Sequence, residues 1–282
     1  MIMSKSLTFR AYLLSMLIFG MVLLGWYLAT LPQQTAVTTQ ADAEYAALMG
    51  GGAVKKSGMP TPAEVGHTLR EKLADPFYDH GPNDKGIGIQ LGYSLARVLA
   101  GFSLAALVAI PLGFLVGMSP IMHRALDPYI QLLKPISPLA WMPLALYTIK
   151  DSSASAIFVI FICSLWPMLI NTAYGVAAVK HDWLNVAKTL EVSPLRKAFL
   201  VVLPAAAPTI LTGMRISMGI AWLVIVAAEM LVGGTGIGYF VWNEWNNLSL
   251  TNVIFAVLMI GVVGMMLDMI FGWLSRLVAY ND

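Results

Sequence analysis

Residues 185–204 read Asn-Val-Ala-Lys-Thr-Leu-Glu-Val-Ser-Pro-Leu-Arg-Lys-Ala-Phe-Leu-Val-Val-Leu-Pro, and this stretch shows how the chain is organised. It is a polar, basic and helix-prone insert between two long apolar segments, and it ends in Leu203 and Pro204 just before the second of them. A membrane protein that places a compact amphipathic helix on the cytoplasmic side offers a docking surface to a soluble partner. We therefore expect such a helix near residues 185–197, before the next apolar segment begins at about residue 200.

Composition places the chain among membrane proteins. Its 282 residues are 58% hydrophobic and only 11% charged, with a mean hydropathy of +0.75, whereas soluble domains carry roughly 25% charged residues. The net charge of +2 is too small to indicate nucleic-acid binding. The single cysteine, Cys163, lies in an apolar run and cannot form an intrachain disulfide. The four histidines are too far apart to suggest a metal site.

The apolar runs predict an all-α polytopic protein with about six membrane-spanning segments, since a helix needs about 20 apolar residues to cross a bilayer. They cover approximately residues 11–31, 87–118, 128–149, 155–179, 200–232 and 253–278. The first run is longer than the ~7–15-residue core of a signal peptide, so we interpret it as an uncleaved anchor. The third contains three prolines and cannot be a plain straight helix.

That broken third segment is a candidate wall of a passage through the membrane. Irregular backbone at membrane depth is tolerated only where protein or a water-filled cavity covers it. We therefore expect the third segment to line a passage, with Trp141 inside it.

Three regions and one orientation follow from the pattern. We expect residues 1–59 to form an anchor helix and a flexible linker, residues 60–86 a periplasmic amphipathic segment, and residues 87–282 the main transmembrane domain. Thr61 and Glu64 have the spacing of a helix capping box.

The basic residues of the short loops fall on one side of a six-span protein. The positive-inside rule predicts that this side is cytoplasmic and that both termini lie there. These residues are Lys5, Arg10, His123, Arg124, Lys180, Lys188, Arg196, Lys197 and Arg276.

Polar residues at helical spacing mark the fifth segment. They recur at steps of three and four along one face of a helix: Arg215, Gly219, Trp222, Val226 and Glu229. A cation at mid-membrane suits a pathway for anions. The alternative is that Arg215 pairs with a carboxylate such as Asp268.

A second polar stripe lies in the fourth segment and contains Ser164, Pro167, Asn171 and Tyr174. It suits a gate or a lined cavity, although hydrogen bonds that only hold helices together explain it equally well. Arg97 and Lys134 lie nearer the ends of their segments and can extend to the lipid headgroups. Arg97 is kept as a pathway candidate, whereas a pathway role for Lys134 has less support.

The glycine-rich stretch Gly233-Gly234-Thr235-Gly236-Ile237-Gly238 does not indicate a nucleotide site. It lacks the Gly-Lys-Ser/Thr ending of a phosphate loop, and no strand precedes it. We expect a tight turn with positive φ angles, and no ATPase site within this chain.

Several stretches resemble a known family. Residues 137–145 read Ser-Pro-Leu-Ala-Trp-Met-Pro-Leu-Ala, residues 165–172 read Leu-Trp-Pro-Met-Leu-Ile-Asn-Thr, and residues 219–230 read Gly-Ile-Ala-Trp-Leu-Val-Ile-Val-Ala-Ala-Glu-Met. These resemble the nitrate permease branch of the ABC importers, which is close to the bicarbonate, sulfonate and taurine permeases. Residues 75–79 and 84–86 resemble the nitrate and bicarbonate members, and the resemblance extends from about Pro60 to the C-terminus.

The opening stretch resembles the coupling motif of the same family. Val186-Ala187 match its alanine pair, Val201 its apolar position and Leu203-Pro204 its end. Asn185 stands where an acid is usual and Glu191 where glycine is usual, and both departures look like the nitrate and bicarbonate members.

The resemblance implies a homodimeric type I importer permease in the bilayer of a bacterial inner membrane, working by alternating access. Cytoplasmic ABC ATPase subunits would bind ATP and Mg²⁺, and this chain would hold no cofactor. A periplasmic or lipid-anchored nitrate-binding protein would deliver nitrate, with nitrite as a second substrate. The ATPases would dock on Asn185, Val186, Ala187, Lys188, Glu191, Ser193, Leu203 and Pro204.

Other functions remain open from the sequence. Bicarbonate or a sulfonate such as taurine is the alternative substrate. An ion-gradient secondary transporter would favour internal repeats, and no clear repeat is seen. A membrane-embedded enzyme would need clustered His, Asp or Glu, and only Glu229 and Asp268 are acidic within the later segments.

Overall fold

The computed structural model describes residues 2–31, 59–81 and 84–278, and these residues are helical with no sheet strand, as predicted. Most of the expected linker lies outside the described residues. The helices are α1 (Ile2–Ala29), α2 (Pro62–Ala74), α3 (Ile87–Met118), α4 (Pro120–Leu133), α5 (Met142–Ile149), α6 (Ser152–Ala177), α7 (His181–Thr189), α8 (Pro194–Lys197), α9 (Leu203–Val232), α10 (Ile237–Asn246) and α11 (Leu250–Val278). A 3₁₀ turn covers Pro138–Trp141 and a π turn covers Ala198–Val202.

The chain forms two compact units. The smaller comprises Met1–Ala74 and Asn247–Phe255, and the larger comprises Asp75–Asn246 and Ala256–Asp282. In the smaller unit, the indole N–H of Trp26 in α1 donates to the carbonyl of Pro60, just before α2.

The capping box at the start of α2 is confirmed. The Thr61 amide donates to Glu64 Oε2 over 2.8 Å, and the Glu64 amide donates to Thr61 Oγ1 over 3.3 Å. Two N–H groups that no helical carbonyl can reach are thereby satisfied.

Helices α3 and α6 run in the same direction and pack closely in the larger unit. Three glycines of α3 leave no room for a Cβ atom, because the backbone or side chains of α6 occupy that space. Their partners advance along α6 in step: Gly101 meets Ile160, Gly113 meets Thr172, and Gly117 meets Val176. Small residues permit this close approach in a membrane, where association depends on packing and interhelical hydrogen bonds. Because α3 and α6 are parallel, residues 119–151 must return along the bundle.

That return is made by two short helices, which confirms the predicted break in the third segment. Helix α4 has 14 residues and is about 21 Å long, too short to cross a ~30 Å bilayer core alone. It begins at Pro120 rather than near residue 128, because the Ser119 hydroxyl caps it by accepting from the Met122 amide. The chain then passes through the 3₁₀ turn into α5. Within the described residues, five helices are long and apolar enough to span a membrane alone: α1, α3, α6, α9 as part of Pro194–Val232, and α11.

Helix α9 packs antiparallel to both α6 and α11. The Ser217 hydroxyl donates to the Ser164 carbonyl over 2.8 Å, and the Trp222 indole N–H donates to the Ile260 carbonyl over 3.0 Å. A Cβ at Gly213 would overlap Asn171, so α6 and α9 also meet at backbone distance. Helix α6 therefore lies between α3 and α9 and forms the centre of the larger unit.

Candidate functional site

A buried ion pair joins α3 to the last turns of α9. Arg97 Nη1 donates to Glu229 Oε1 over 2.7 Å and to the Thr235 carbonyl over 2.6 Å. Arg97 Nε donates to Ser153 Oγ over 2.8 Å. The side chain of Glu229 is 2% exposed and that of Arg97 is 13% exposed. Both residues were pathway candidates, and in the structure each is the other's charge partner.

Two further side chains of α3 hold the glycine-rich turn against this pair. Three consecutive amides, those of residues 236–238, donate in order to Gln90 Oε1 (2.6 Å), Ser94 Oγ (2.9 Å) and Glu229 Oε2 (3.0 Å). We call Gln90, Ser94, Arg97 and Glu229 the clamp. These three buried amides at the start of α10 thus each have a polar partner, as buried N–H groups require.

The predicted turn after α9 is confirmed. Gly233 and Gly234 have φ angles of +77° and +94°, which side chains strongly disfavour. A Cβ at Gly238 would overlap the carbonyl of Val226, so α10 packs directly on the backbone of α9. The clamp and this contact together set the direction in which α10 leaves the bundle.

Part of the polar stripe of α9 packs against α11, whereas Gly219 is exposed and a Cβ there would meet nothing within 4 Å. Arg215 forms a two-pronged pair with Asp268 of α11, with nitrogen–oxygen distances of 2.6 and 2.5 Å. The pairing alternative for Arg215 is therefore confirmed. Both side chains remain about half exposed, at 45% and 55%. Trp222 is 5% exposed and donates to α11, so both Arg215 and Trp222 have partners on that helix.

Two cavities lie along α6, and the larger is also lined by Ile220 of α9. The larger, of about 420 Å³, includes Asn171 in its lining, and the Asn171 amide donates to the Pro167 carbonyl over 2.8 Å. The smaller, of about 270 Å³, is lined in part by Tyr174, which is 70% exposed. Lys134 lines both. The indole N–H of Trp141 is buried and has no hydrogen-bond partner among the described residues.

The helix expected near residues 185–197 is divided into two pieces in the structure. Helix α7 ends at Thr189, and Glu191 adopts a left-handed conformation with φ +50°. The Glu191 amide donates to the Lys188 carbonyl and the Val192 amide to the Ala187 carbonyl, over 3.0 and 3.1 Å. This pattern is a Schellman cap, whose left-handed position usually holds glycine. The left-handed backbone of Glu191 therefore explains why the coupling motif described above usually has glycine at this position.

After this cap, the chain restarts as α8 with Pro194 at its first position and passes through the π turn into α9. Ala187 is buried, whereas Asn185, Val186, Lys188, Glu191 and Ser193 are exposed, and Leu203 and Pro204 are half-buried at the start of α9. Exposed apolar side chains lie among these residues: Trp183, Val186, Leu190, Leu195, Phe199 and Leu200. We call residues 181–200 the coupling surface. Its mixture of exposed apolar and basic groups suits a protein partner better than water alone.

Comparisons with known proteins agree with this architecture. The family model of the binding-protein-dependent transport system inner membrane component matches residues 109–280. A nitrate import permease protein of Synechocystis sp. is 46% identical over 222 residues, covering 79% of this chain and 81% of that protein. A bicarbonate transport system permease protein of the same organism is 45% identical over 224 residues, covering 78% and 80%.

The fold itself is found in solved structures. The MetNI methionine ABC transporter in an inward-facing conformation matches with a TM-score of 0.60 and 13% identity, covering 67% of this chain and 94% of the other. A second match, an amino acid ABC transporter, has a TM-score of 0.56 and 14% identity, covering 66% and 91%. The fold is that of the type I ABC importer permeases. With its parallel α3 and α6, its broken third crossing and its exposed coupling surface, the chain belongs to the family of binding-protein-dependent transport system inner membrane components.

Proposed function

We propose that this chain is the membrane subunit of an ATP-driven importer that moves nitrate, with nitrite as a second substrate. The observation that carries the proposal is the 46% identity to a nitrate import permease over 79% of the chain. The match covers most of both proteins, so it includes the bundle and the coupling surface rather than a single motif.

The coupling surface supports an ATPase partner. Cytoplasmic ABC ATPase subunits bind ATP and Mg²⁺, and this chain binds neither. Two copies of this chain form a homodimer with the pathway between them. ATP binding draws the two coupling surfaces together and turns the pathway outward, where a periplasmic or lipid-anchored binding protein delivers the anion. Hydrolysis turns the pathway inward.

The order of the crossings supports a bacterial inner-membrane location with both termini cytoplasmic. Five crossings are made by the long helices α1, α3, α6, α9 and α11, and a sixth is made by α4 together with α5. An even number of crossings puts both ends of the chain on the same side of the membrane. The basic residues of the coupling surface assign that side to the cytoplasm. A reporter fused to the C-terminus is expected to read as cytoplasmic, and a periplasmic signal would contradict the topology.

Bicarbonate is the second candidate substrate, because a bicarbonate permease is 45% identical over a similar share of the chain. The test is ATP-dependent uptake by the reconstituted complex of permease, ATPases and binding protein, with nitrate, nitrite, bicarbonate and taurine supplied in turn. Uptake of nitrate, alone or with nitrite, supports the proposal. Uptake of bicarbonate or taurine only would keep the importer and replace the anion.

A further inference from the structure

We propose that Lys134 is the positive charge that the transported anion meets inside the membrane, in the larger cavity beside α6. The inference rests on the proposed function and assigns a contact residue for the transported anion. It names the ligand as a small monovalent oxyanion, a chemistry that nitrate, nitrite and bicarbonate share.

The first support is the position of Lys134 in the broken crossing. Helix α4 ends at Leu133, and Lys134 is the residue that follows it, before the 3₁₀ turn begins at Pro138. Two prolines in this stretch, Pro135 and Pro138, have no N–H to donate. Backbone of this kind is stable at membrane depth only where protein or water covers it.

The second support is depth. Lys134 lines the larger cavity together with residues of α6 from Ile162 to Asn171, all more than one turn from either end of that helix. The central ~20 residues of α6 suffice to cross the hydrocarbon core. Lys134 also lines the smaller cavity, which reaches Ala177 at the end of α6, and both cavities share Ile170. Lys134 therefore lies beside the half of α6 that ends at Ala177, inside the crossing.

The third support is charge. Two cations that lie well inside the long helices are each held by a carboxylate: Arg97 by Glu229 and Arg215 by Asp268. Lys134 makes no ion pair with any residue that the structure describes. Asp127 lines the smaller cavity, whereas Lys134 is the one charged residue among the described residues that line the larger cavity.

These observations have one chemical consequence. Charged side chains inside membranes face an aqueous path or a partner and mark ion pathways. The larger cavity, of about 420 Å³, holds a single cation, the half-buried amide of Asn171 and otherwise apolar or aromatic groups. It therefore attracts one small anion without fixing its orientation by many hydrogen bonds, which suits a site that an ion must leave again.

The experiment uses the complete reconstituted complex in proteoliposomes. Lys134→Met is expected to lower nitrate uptake per ATP hydrolysed at least tenfold, whereas Lys134→Arg restores most of it. Stimulation of the ATPase by loaded binding protein is expected to persist in both variants. Lys150→Met, at the exposed end of α5, serves as the matched control and should match the wild type.

A chemical rescue separates charge from folding. In a Cys163→Ala background, Lys134→Cys is treated with a cationic aminoethyl thiosulfonate or with a neutral reagent of similar size. Recovery of uptake with the cationic reagent alone supports the proposal. Equal recovery with both, no recovery in labelled protein, or failure to label would overturn it. If the wild-type complex transports none of the oxyanions, the proposed function fails; if it transports and Lys134→Met is unchanged, only this inference fails.

Discussion

Replacing Glu229 with glutamine tests whether the clamp is structural. The substitution preserves the shape of the side chain and removes its charge, so Arg97 loses its partner in a site where Glu229 is 2% exposed. Removing one member of a buried ion pair costs about 3–5 kcal/mol. Glu229 accepts hydrogen bonds from Arg97, Ser94 and the Gly238 amide. The side-chain NH₂ group of glutamine is itself a donor, so it would face donors where the carboxylate had accepted from them.

The magnitude separates this effect from the loss of one hydrogen bond. A single interhelical hydrogen bond in a membrane contributes about 0.6 kcal/mol on average. Ser153→Ala removes one such bond, from Arg97 Nε. A change of 1 kcal/mol shifts the Tm of a domain of this size by about 2–4 °C. Glu229→Gln should therefore lower the Tm by about 6–20 °C, and Ser153→Ala by about 1–3 °C.

The assay is thermal unfolding of the purified permease, followed by gel filtration after heating. Arg97→Met should lower the Tm by a similar amount, and the double variant should lose much less than the sum, because the two residues form one interaction. A Glu229→Gln protein that melts within about 2 °C of the wild type but has altered uptake kinetics would refute the structural role. Glu229 would then act in the pathway.

Three further outcomes are expected. Gly113→Ala should destabilise the bundle by about 1–3 kcal/mol, because the new methyl group overlaps α6. In the control variant Gly92→Ala the methyl group meets nothing within 4 Å, so this variant should unfold like the wild type in the same thermal unfolding assay. Glu191→Lys should abolish the stimulation of ATP hydrolysis by loaded binding protein. Glu191→Gly should retain at least part of this stimulation, because glycine suits the φ angle of +50° at this position. Equal loss in both variants would assign the effect to the loss of the carboxylate rather than to the new positive charge. The hydrogen bond from Lys85 holds the pKa of Asp79 below its ordinary 3.8. The loop around Asp79 should therefore be better protected from hydrogen exchange in the wild type than in Asp79→Asn above pH 3.8, and this difference should disappear as the pH falls through the lowered pKa. A difference in protection that does not change with pH would exclude this pair.

Local chemistry accounts for what the sequence predicted well. The capping box at Thr61 and the glycine turn at Gly233 depend on neighbours within a few residues, and both are present. The break in the third crossing follows from prolines that cannot donate hydrogen bonds. The break after α7 was missed because its left-handed residue is Glu191, which carries no local signal for that conformation.

The contacts that the sequence could not predict are those between residues far apart in the chain. Arg97 and Glu229 were both recognised as unusual polar residues, yet no periodicity relates positions that lie on different helices. Lys134 was judged to lie near a segment end, because the true start of α4 at Pro120 depends on the cap at Ser119. Moving that start towards the N-terminus moves Lys134 inside the crossing.

The separation between Arg97 and Glu229 has a consequence for how the protein is made. The two residues are 132 positions apart. At about 5–20 residues per second, Arg97 waits about 7–26 s for its partner to be synthesised. An unpaired arginine within an inserted helix costs about 2.5–3.5 kcal/mol at the membrane centre, less if it extends to the headgroups. During those seconds α3 has no partner for its charge, and a chain cut short before α9 never acquires one.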